Sequence, residues 1–142
     1  MVKPVPDGYH TVTPYLVVED AGVLIDFLSR AFGARTRYSH KGPDGKVAHA
    51  EMQIGDSIIM MGTARGDSKP LTMALYLYVP NCDELYRQAI AAGATSIREP
   101  QDQFYGDRHG GIKDPSGNSW WVATHIEDVS DQELERRMSA MR

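Results

Sequence analysis

Leu16-Val17-Val18-Glu19-Asp20 leads into a helix-like stretch that ends Arg30-Ala31-Phe32-Gly33-Ala34, and further along the chain does the same again. Leu77-Tyr78-Val79-Pro80-Asn81 opens the second copy, whose helix-like stretch ends Ala91-Ala92-Gly93-Ala94. The hairpin Ile54-Gly55-Asp56-Ser57-Ile58 also has a counterpart at Ile112 to Ser119, with a longer turn. Two copies are too few for a solenoid. The repeat therefore predicts two paired modules closing on a shared cleft, with any functional site where the copies face.

Outward from the repeat, each copy reads as strand, helix and three strands. In the first, Thr11 to Val18 is rich in β-branched and aromatic residues and predicts a strand. Asp20 can cap the next helix, whose apolar Val23, Leu24, Phe27, Leu28 and Ala31 recur at helical spacing before Gly33. Arg35 to His40 is a second strand, and Pro43-Asp44-Gly45-Lys46 a turn. Val47 to Ile54 and Ser57 to Met61 form a hairpin across Gly55-Asp56. In the second copy Met73 to Val79 is a strand, Asn81 a cap and Asp83 to Ala92 a helix. Ser96 to Arg98, Gln103 to Ile112 and Ser119 to Thr124 follow as strands, the last after the turn Asp114-Pro115-Ser116-Gly117-Asn118. Ser130-Asp131-Gln132-Glu133 is a capping box that starts a charged terminal helix. The expected division is an arm over 1–10, a first module over 11–62, a linker over 63–70, a second module over 71–125 and a terminal helix over 126–142, all in one α+β domain.

Composition narrows the function. A formal net charge of −4 leaves no basic excess for neutralising phosphates, which argues against a nucleic-acid partner. The lone Cys82 excludes an internal disulfide and multi-cysteine metal motifs, and fits a reducing compartment. The start of the chain lacks the apolar run of a signal peptide, and no stretch reaches the roughly 18 apolar residues of a membrane span. The expectation is a soluble cytoplasmic protein without a membrane partner.

Strand alternation sorts the side chains. The two-residue turn pairs Ile54 with Ser57, Gln53 with Ile58 and Glu51 with Met60. Ala50, Met52, Ile54, Ile59 and Met61 then lie under a helix, while His49, Glu51, Gln53, Ile58 and Met60 share the opposite face. Leu75, Leu77, Val79, Trp120 and Val122 take the helix side of the second copy, leaving Ala74, Tyr76, Tyr78, Trp121 and Ala123 on the other. Tyr15, Tyr76, Tyr78 and Trp121 with His49, Glu51 and Gln53 make that face aromatic with a few polar groups, as a small-molecule pocket requires. The same composition also suits a solvated or partner-covered sheet.

The runs Thr13-Pro14-Tyr15-Leu16-Val17-Val18, Ala31-Phe32-Gly33-Ala34, Gly42-Pro43-Asp44-Gly45-Lys46 and His49-Ala50-Glu51-Met52 resemble the vicinal oxygen chelate superfamily. So do Ile54-Gly55-Asp56-Ser57, Tyr105-Gly106-Asp107-Arg108 and Asp114-Pro115-Ser116-Gly117-Asn118. Within this glyoxalase/bleomycin-resistance/dioxygenase superfamily the chain is most similar to the PhnB-like group. The resemblance covers about Tyr9 to Arg137 and implies two βαβββ modules as open curved sheets, usually in a homodimer. Catalytic members hold a divalent metal through His, Glu or Gln, two from each module. By register those positions are Thr13, Met60, Ala74 and Trp121 here, none a usual ligand, and the neighbours Val12, Pro14, Ile59, Met61, Leu75 and Trp120 are none either.

His49 and Glu51, two apart on a strand, share a face and could act as a base pair, clamp a metal, or simply bond to Tyr15, another neighbouring strand or a second subunit. Phe104 and Tyr105 are placed to close over a bound molecule, with Asp107 and Arg108 tying their loop by a salt bridge. His10, His40, His109 and His125 lack ligand spacing and read as surface; Cys82, without a partner base, reads as structural. Two functions follow. One is a metal-free binding protein that holds a planar aromatic ligand among Tyr15, Gln53, Met60, Tyr76, Tyr78, Phe104, Tyr105 and Trp121, akin to antibiotic-sequestering relatives. The other is a lyase or isomerase using His49 and Glu51, with or without a divalent metal. A third use of the aromatic face is as a docking surface for another protein.

Overall fold

A computed structural model describes residues 2–142. The first module comprises β1 (Tyr15–Val18), α1 (Ala21–Phe32), β2 (Arg35–Lys41), β3 (Val47–Ile54) and β4 (Ser57–Thr63). The second repeats the order with β5 (Ala74–Tyr78), α2 (Cys82–Ala91), β6 (Thr95–Asp102), β7 (Asp107–Lys113) and β8 (Ser119–His125), and α3 (Asp131–Ala140) follows. Each module is an open four-stranded sheet, ordered β1-β4-β3-β2 and β5-β8-β7-β6. The first strand of each lies parallel to the last, and the remaining pairs are antiparallel.

Local chemistry sets the boundaries. The Asp20 side chain accepts the Gly22 N–H at the start of α1, and Gly33 ends it at φ 66°, a left-handed conformation that costs glycine little. Asn81 caps α2 through the Glu84 N–H, and Ser130 caps α3 through the Glu133 N–H. β1 is shorter than the expected strand from Thr11, because Pro14 brings no N–H and only its carbonyl joins the ladder, accepting from the Met60 N–H at 2.9 Å. β6 is longer than expected and contains Pro100; it is an edge strand with a register shift between Arg98 and Gln101, where a missing donor is tolerated. β7 starts four residues later than expected, since Gln103 to Gly106 fold into a tight turn closed by the Gly106 N–H on Gln103 O. β4 runs on to Thr63, whose hydroxyl accepts the Ala21 N–H and donates to Val47 O, so this residue closes α1 onto the sheet rather than opening the linker.

The expected pairing of the first hairpin is found, with Ile54 opposite Ser57, Gln53 opposite Ile58 and Glu51 opposite Met60. Leu16, Leu24, Phe27, Ala50, Met52 and Met61 of the first module and Trp120, Val122, Ala89 and Ile112 of the second share one core. The modules meet on their helix-covered sides. α1 packs on α2, the Phe32 and Trp120 rings lie 5.2 Å apart, and Gln88 Nε2 donates to Arg30 O at 3.1 Å. Among the described residues no hydrogen bond or ring contact joins the open face of one sheet to that of the other. A single chain thus packs the copies through their helices, with no direct bond between their two open faces.

Asp114 organises the β7–β8 turn from inside the core. Its carboxylate accepts from Trp120 Nε1 at 2.8 Å, Asn118 Nδ2 at 3.2 Å and the backbone N–H groups of Ser116 and Asn118 at 2.8 and 3.0 Å. Asn118 Oδ1 in turn accepts the Met73 N–H at 2.9 Å, tying the turn to β5. Removing the carboxylate strands several buried donors, so Asp114→Ala is expected to lower stability by about 3 kcal/mol or more. Asp114→Asn, which keeps one acceptor oxygen, should cost less. Urea unfolding followed by circular dichroism measures both.

Candidate functional site

The open face of the first module is built across its four strands. Tyr15 on β1 lies beside Met60 on β4, and Met60 beside Glu51 on β3. Tyr38 and His40 of β2 extend the same face, opposite Glu51 and His49. The i, i+2 spacing of His49 and Glu51 puts both side chains on this face, as strand geometry requires. His49 Nε2 lies 2.9 Å from Glu51 Oε2, and Tyr15 Oη lies 3.1 Å from His49 Nδ1. A carboxylate only accepts, so Glu51 selects the Nε2–H tautomer and leaves Nδ1 to accept the Tyr15 hydroxyl. The two rings stack with centroids 5.6 Å apart. Gly62 makes room for this arrangement, because a Cβ there would stand 2.7 Å from Tyr15 Oη and 2.9 Å from Ala48 O. Gln53, expected on the ligand surface, instead donates from Nε2 to Gly55 O at 3.0 Å and secures the hairpin turn.

Strand pairing makes the second module's face a counterpart with different contents. Tyr76 lies beside Trp121 as Tyr15 lies beside Met60, and Gly111 beside Trp121 as Glu51 lies beside Met60. Two residues before Gly111, His109 therefore matches His49. With no side chain at 111, the indole of Trp121 settles onto β7; a Cβ there would clash with its ring. His109 is buried, held edge-on by Tyr76 at 5.7 Å and Trp121 at 5.3 Å, with Tyr105 Oη bonded to Nε2. Burial lowers its pKa, with Arg98 adding to the effect, and its Nδ1 has no partner among the described residues. His109 is thus no surface histidine, as the sequence suggested. Its signal was there: aligning the copies by hairpin pairing rather than by helix ends superposes it on His49.

Asp107 is the second residue that sequence reasoning misplaced. It does not pair with Arg108, because adjacent strand residues point to opposite faces. Arg108 turns outward to Asp83 at 2.7 Å and Asp102 at 3.0 Å. The buried Asp107 carboxylate accepts from Tyr76 Oη at 2.7 Å, Tyr78 Oη at 2.8 Å and His125 Nδ1 at 2.9 Å. Burial works against its charge, but these donors hold its pKa below the ordinary carboxylate value. Burial and the Asp107 bond raise the pKa of Tyr76, while for the more open Tyr78 the Asp107 bond comes first, so both phenols stay protonated. The turn carrying Phe104 and Tyr105 is fastened rather than free to close. Arg137 of α3 donates to Phe104 O at 2.7 Å, and Gly106 O accepts the Ile126 and Glu127 N–H groups. Cys82 is buried, donating weakly to Arg108 O at 3.3 Å, and burial raises its thiol pKa.

The four positions at which the resemblance places metal ligands carry one hydroxyl, one thioether, a methyl and an indole in Thr13, Met60, Ala74 and Trp121. That donor set does not fit a divalent cation. Among the described residues no three His, Cys, Asp or Glu side chains converge either. A groove of about 810 Å³ lies away from the His49–Glu51 pair. It follows the free edge of β5 between Ile54–Ser57 and α2, and Tyr76 and Tyr78 form one side of it.

His125 is clamped between two carboxylates, Asp107 on Nδ1 and Asp128 on Nε2 at 2.7 Å, and their bonds raise its pKa. A raised folded pKa contributes stability that is fully present below the unfolded value near 6.5 and is lost as pH rises through the folded pKa. Thermal unfolding should therefore show wild type gaining more than His125→Ala between about pH 9 and pH 6. Parallel profiles would remove His125 as the source.

Relatives share this architecture. The chain is 33% identical over 140 residues to an uncharacterized protein of Mycobacterium bovis, covering 91% of this chain and 92% of that one. A protein of Mycobacterium tuberculosis matches at 33%, with 91% and 82% covered. Among solved structures, TioX from Micromonospora sp. ML1 superposes with a TM-score of 0.69 at 22% identity, over 85% of this chain and all (100%) of that one. A PhnB protein from Bacillus cereus gives 0.66 at 17% identity, over 81% and 99%. These two show likeness of fold alone. No helix among the described residues is long and apolar enough to cross a membrane. Residues 9–122 match the model of the glyoxalase/bleomycin resistance protein/dioxygenase superfamily, and with that match and the paired βαβββ modules the chain belongs to this superfamily.

Proposed function

We propose that the protein binds a planar aromatic small molecule in a cleft made from the first module's open face on one copy and the second module's on another. The observation that carries the reading is the exposure of four open-face tyrosines: Tyr15 at 44%, Tyr38 at 53%, Tyr76 at 42% and Tyr78 at 65%. Grouped aromatic exposure of this kind marks a binding face, and phenol rings offer flat contact with a polar tip. A twofold homodimer supplies two such clefts, since each copy brings both faces. Met60 and Trp121 lie at the floor, and the Asp107 bonds hold Tyr76 and Tyr78 in fixed orientation. Sequestration needs only this binding. The reading gives the cleft no metal, on the donor chemistry of Thr13, Met60, Ala74 and Trp121. The buried Cys82 suits a reducing, cytoplasmic setting.

A second reading, an enzyme of the lyase or isomerase kind, is favoured by the 2.9 Å His49–Glu51 contact on the same face. It uses the same cleft, so binding is tested first. Light scattering should give twice the 15.8 kDa chain mass. Trp121 fluorescence should quench saturably with members of a panel of planar aromatics, and Tyr78→Ala should weaken that binding about tenfold, as loss of an aromatic anchor does. A monomer at micromolar concentration, or quenching by nothing in the panel, would count against this reading.

A further inference from the structure

We propose that the free edge of β5 is a docking site for an extended basic segment of another protein, which adds to the second module's sheet as a fifth strand. The site is the groove along that edge, and it uses the backbone of β5 rather than the ring faces of the aromatic cleft.

The ladder shows which backbone groups are available. Ser119 N–H donates to Met73 O and Val79 N–H donates to Ala123 O, so residues 73, 75, 77 and 79 turn their polar groups toward β8. The N–H and C=O groups of Ala74, Tyr76 and Tyr78 point the other way, where no strand meets them. Among the described residues none of these groups bonds to backbone elsewhere.

Edge strands are ordinarily protected against pairing by charge, proline, irregularity or cover. The other three edges of this molecule follow that rule. β2 carries Arg35, Arg37 and Lys41 with two register shifts, and β6 carries Arg98, Glu99 and Pro100 with two more. β1 is met by Leu71, whose N–H donates to Val17 O at 3.0 Å. β5 reads Ala-Leu-Tyr-Leu-Tyr, with no charge, no proline and no register shift. This unprotected edge is the one beside the groove of about 810 Å³.

The lining of the groove selects its occupant. Leu77 and Leu85 give it an apolar side, and Tyr76 and Tyr78 present phenol rings. Its charged groups are Asp56 on the β3–β4 turn and Glu84 in the first turn of α2, and no lysine or arginine lines it among the described residues. Asp56 Oδ1 accepts the Ser57 hydroxyl at 3.0 Å, which leaves the second oxygen for a cation. An added strand of alternating basic and apolar residues meets these demands. Carboxylates and ring faces attract its cations, while its backbone satisfies the edge of β5. A second copy's β5 fits less well: it brings no cation, and pairing would set Asp56 and Glu84 of both copies around one groove.

The full chain is titrated into fluorescein-labelled acetyl-Lys-Val-Lys-Val-Lys-amide as the probe. Anisotropy should rise saturably, and the counterpart with glutamate for lysine should bind about tenfold more weakly or worse. A flat signal up to about 1 mM protein would end the proposal. Asp56→Asn combined with Glu84→Gln should remove most of the preference for the basic peptide; an undiminished preference would overturn the charge assignment. N-methylating either the lysines or the valines deletes the donors of one peptide edge. One of these two peptides should lose about tenfold or more in binding while the other keeps it, and loss by both, or by neither, would sink strand addition. Hydrogen exchange followed by NMR then locates the site. The basic peptide should slow the Tyr76 and Tyr78 amides about tenfold or more and leave Leu75 and Leu77, already bonded to β8, unchanged. Binding without that protection places the peptide elsewhere, and the proposal falls. It falls equally if both amides are protected before peptide is added and lose protection on dilution, which would give the edge to a second copy. Quenching of Trp121 by planar aromatics does not involve these amides, so the cleft reading stands or fails separately.

Discussion

The contact between Phe32 at the end of α1 and Trp120 at the start of β8 sets the constraint from which the rest of the molecule follows. Both rings are buried, and burying a side chain the size of Phe stabilises by about 1.5–3 kcal/mol, a sizeable share of the roughly 5–15 kcal/mol net stability of a domain. That driving force joins the modules through their helix sides. Once those sides are spent on the core, each sheet has only one face left, and alternation along its strands dictates which residues stand there. Asp114 reinforces the arrangement by satisfying the indole N–H of Trp120 and the β7–β8 turn together. The open faces are exposed because the opposite faces are not.

The two open faces have diverged within one frame. Equivalent pairings place Tyr15, Met60, Glu51 and His49 against Tyr76, Trp121, Gly111 and His109. In the first module a carboxylate at 51 orders the histidine, and a glycine at 62 admits the phenol. In the second, the glycine at 111 admits an indole instead, which covers the histidine and excludes water from it. Asp107 then supplies the polar anchor that the second face would otherwise lack, but from the strand's start and to phenols instead of an imidazole. One face carries a polar hydrogen-bonded group, the other is aromatic and fixed. A dimeric cleft that joins them would set the Tyr15–His49–Glu51 group against an aromatic wall.

Much of the fold was legible because its signals are local. Asp20, Asn81 and Ser130 announce helix starts through short side chains that reach their own backbone, and Gly55-Asp56 sets a hairpin register that carries through to Glu51 opposite Met60. His49 and Glu51 were likewise legible as a pair, since two residues of strand suffice to place them together. What escaped depends on contacts distant along the chain. Asp107 reaches back to Tyr76 and Tyr78 across the β8 strand that separates β7 from β5, and forward to His125. The Phe104–Tyr105 turn is held by Arg137 from the terminal helix. Neither is encoded in spacing. The relative placement of the modules was also hidden, because the same apolar stripe on α1 would serve a chain that closed its own cleft.

Tyr15 shows how the local and distant kinds of information combine. A tyrosine near the start of an edge strand carries no chemical signature by itself, and a His-Xaa-Glu triplet on a strand is most simply a structural pair. The parallel pairing of β1 with β4 and the antiparallel pairing of β4 with β3 put the phenol one strand away from the imidazole's own strand, with Gly62 between them. An intervening residue with a side chain would hold the hydroxyl off Nδ1 and leave His49 bonded to Glu51 alone. With glycine there, the exposed phenol becomes the end of a charge-terminated hydrogen-bond chain. The extent of this hydrogen-bond chain thus depends less on the histidine and glutamate alone than on the missing side chain at 62 that lets Tyr15 join them.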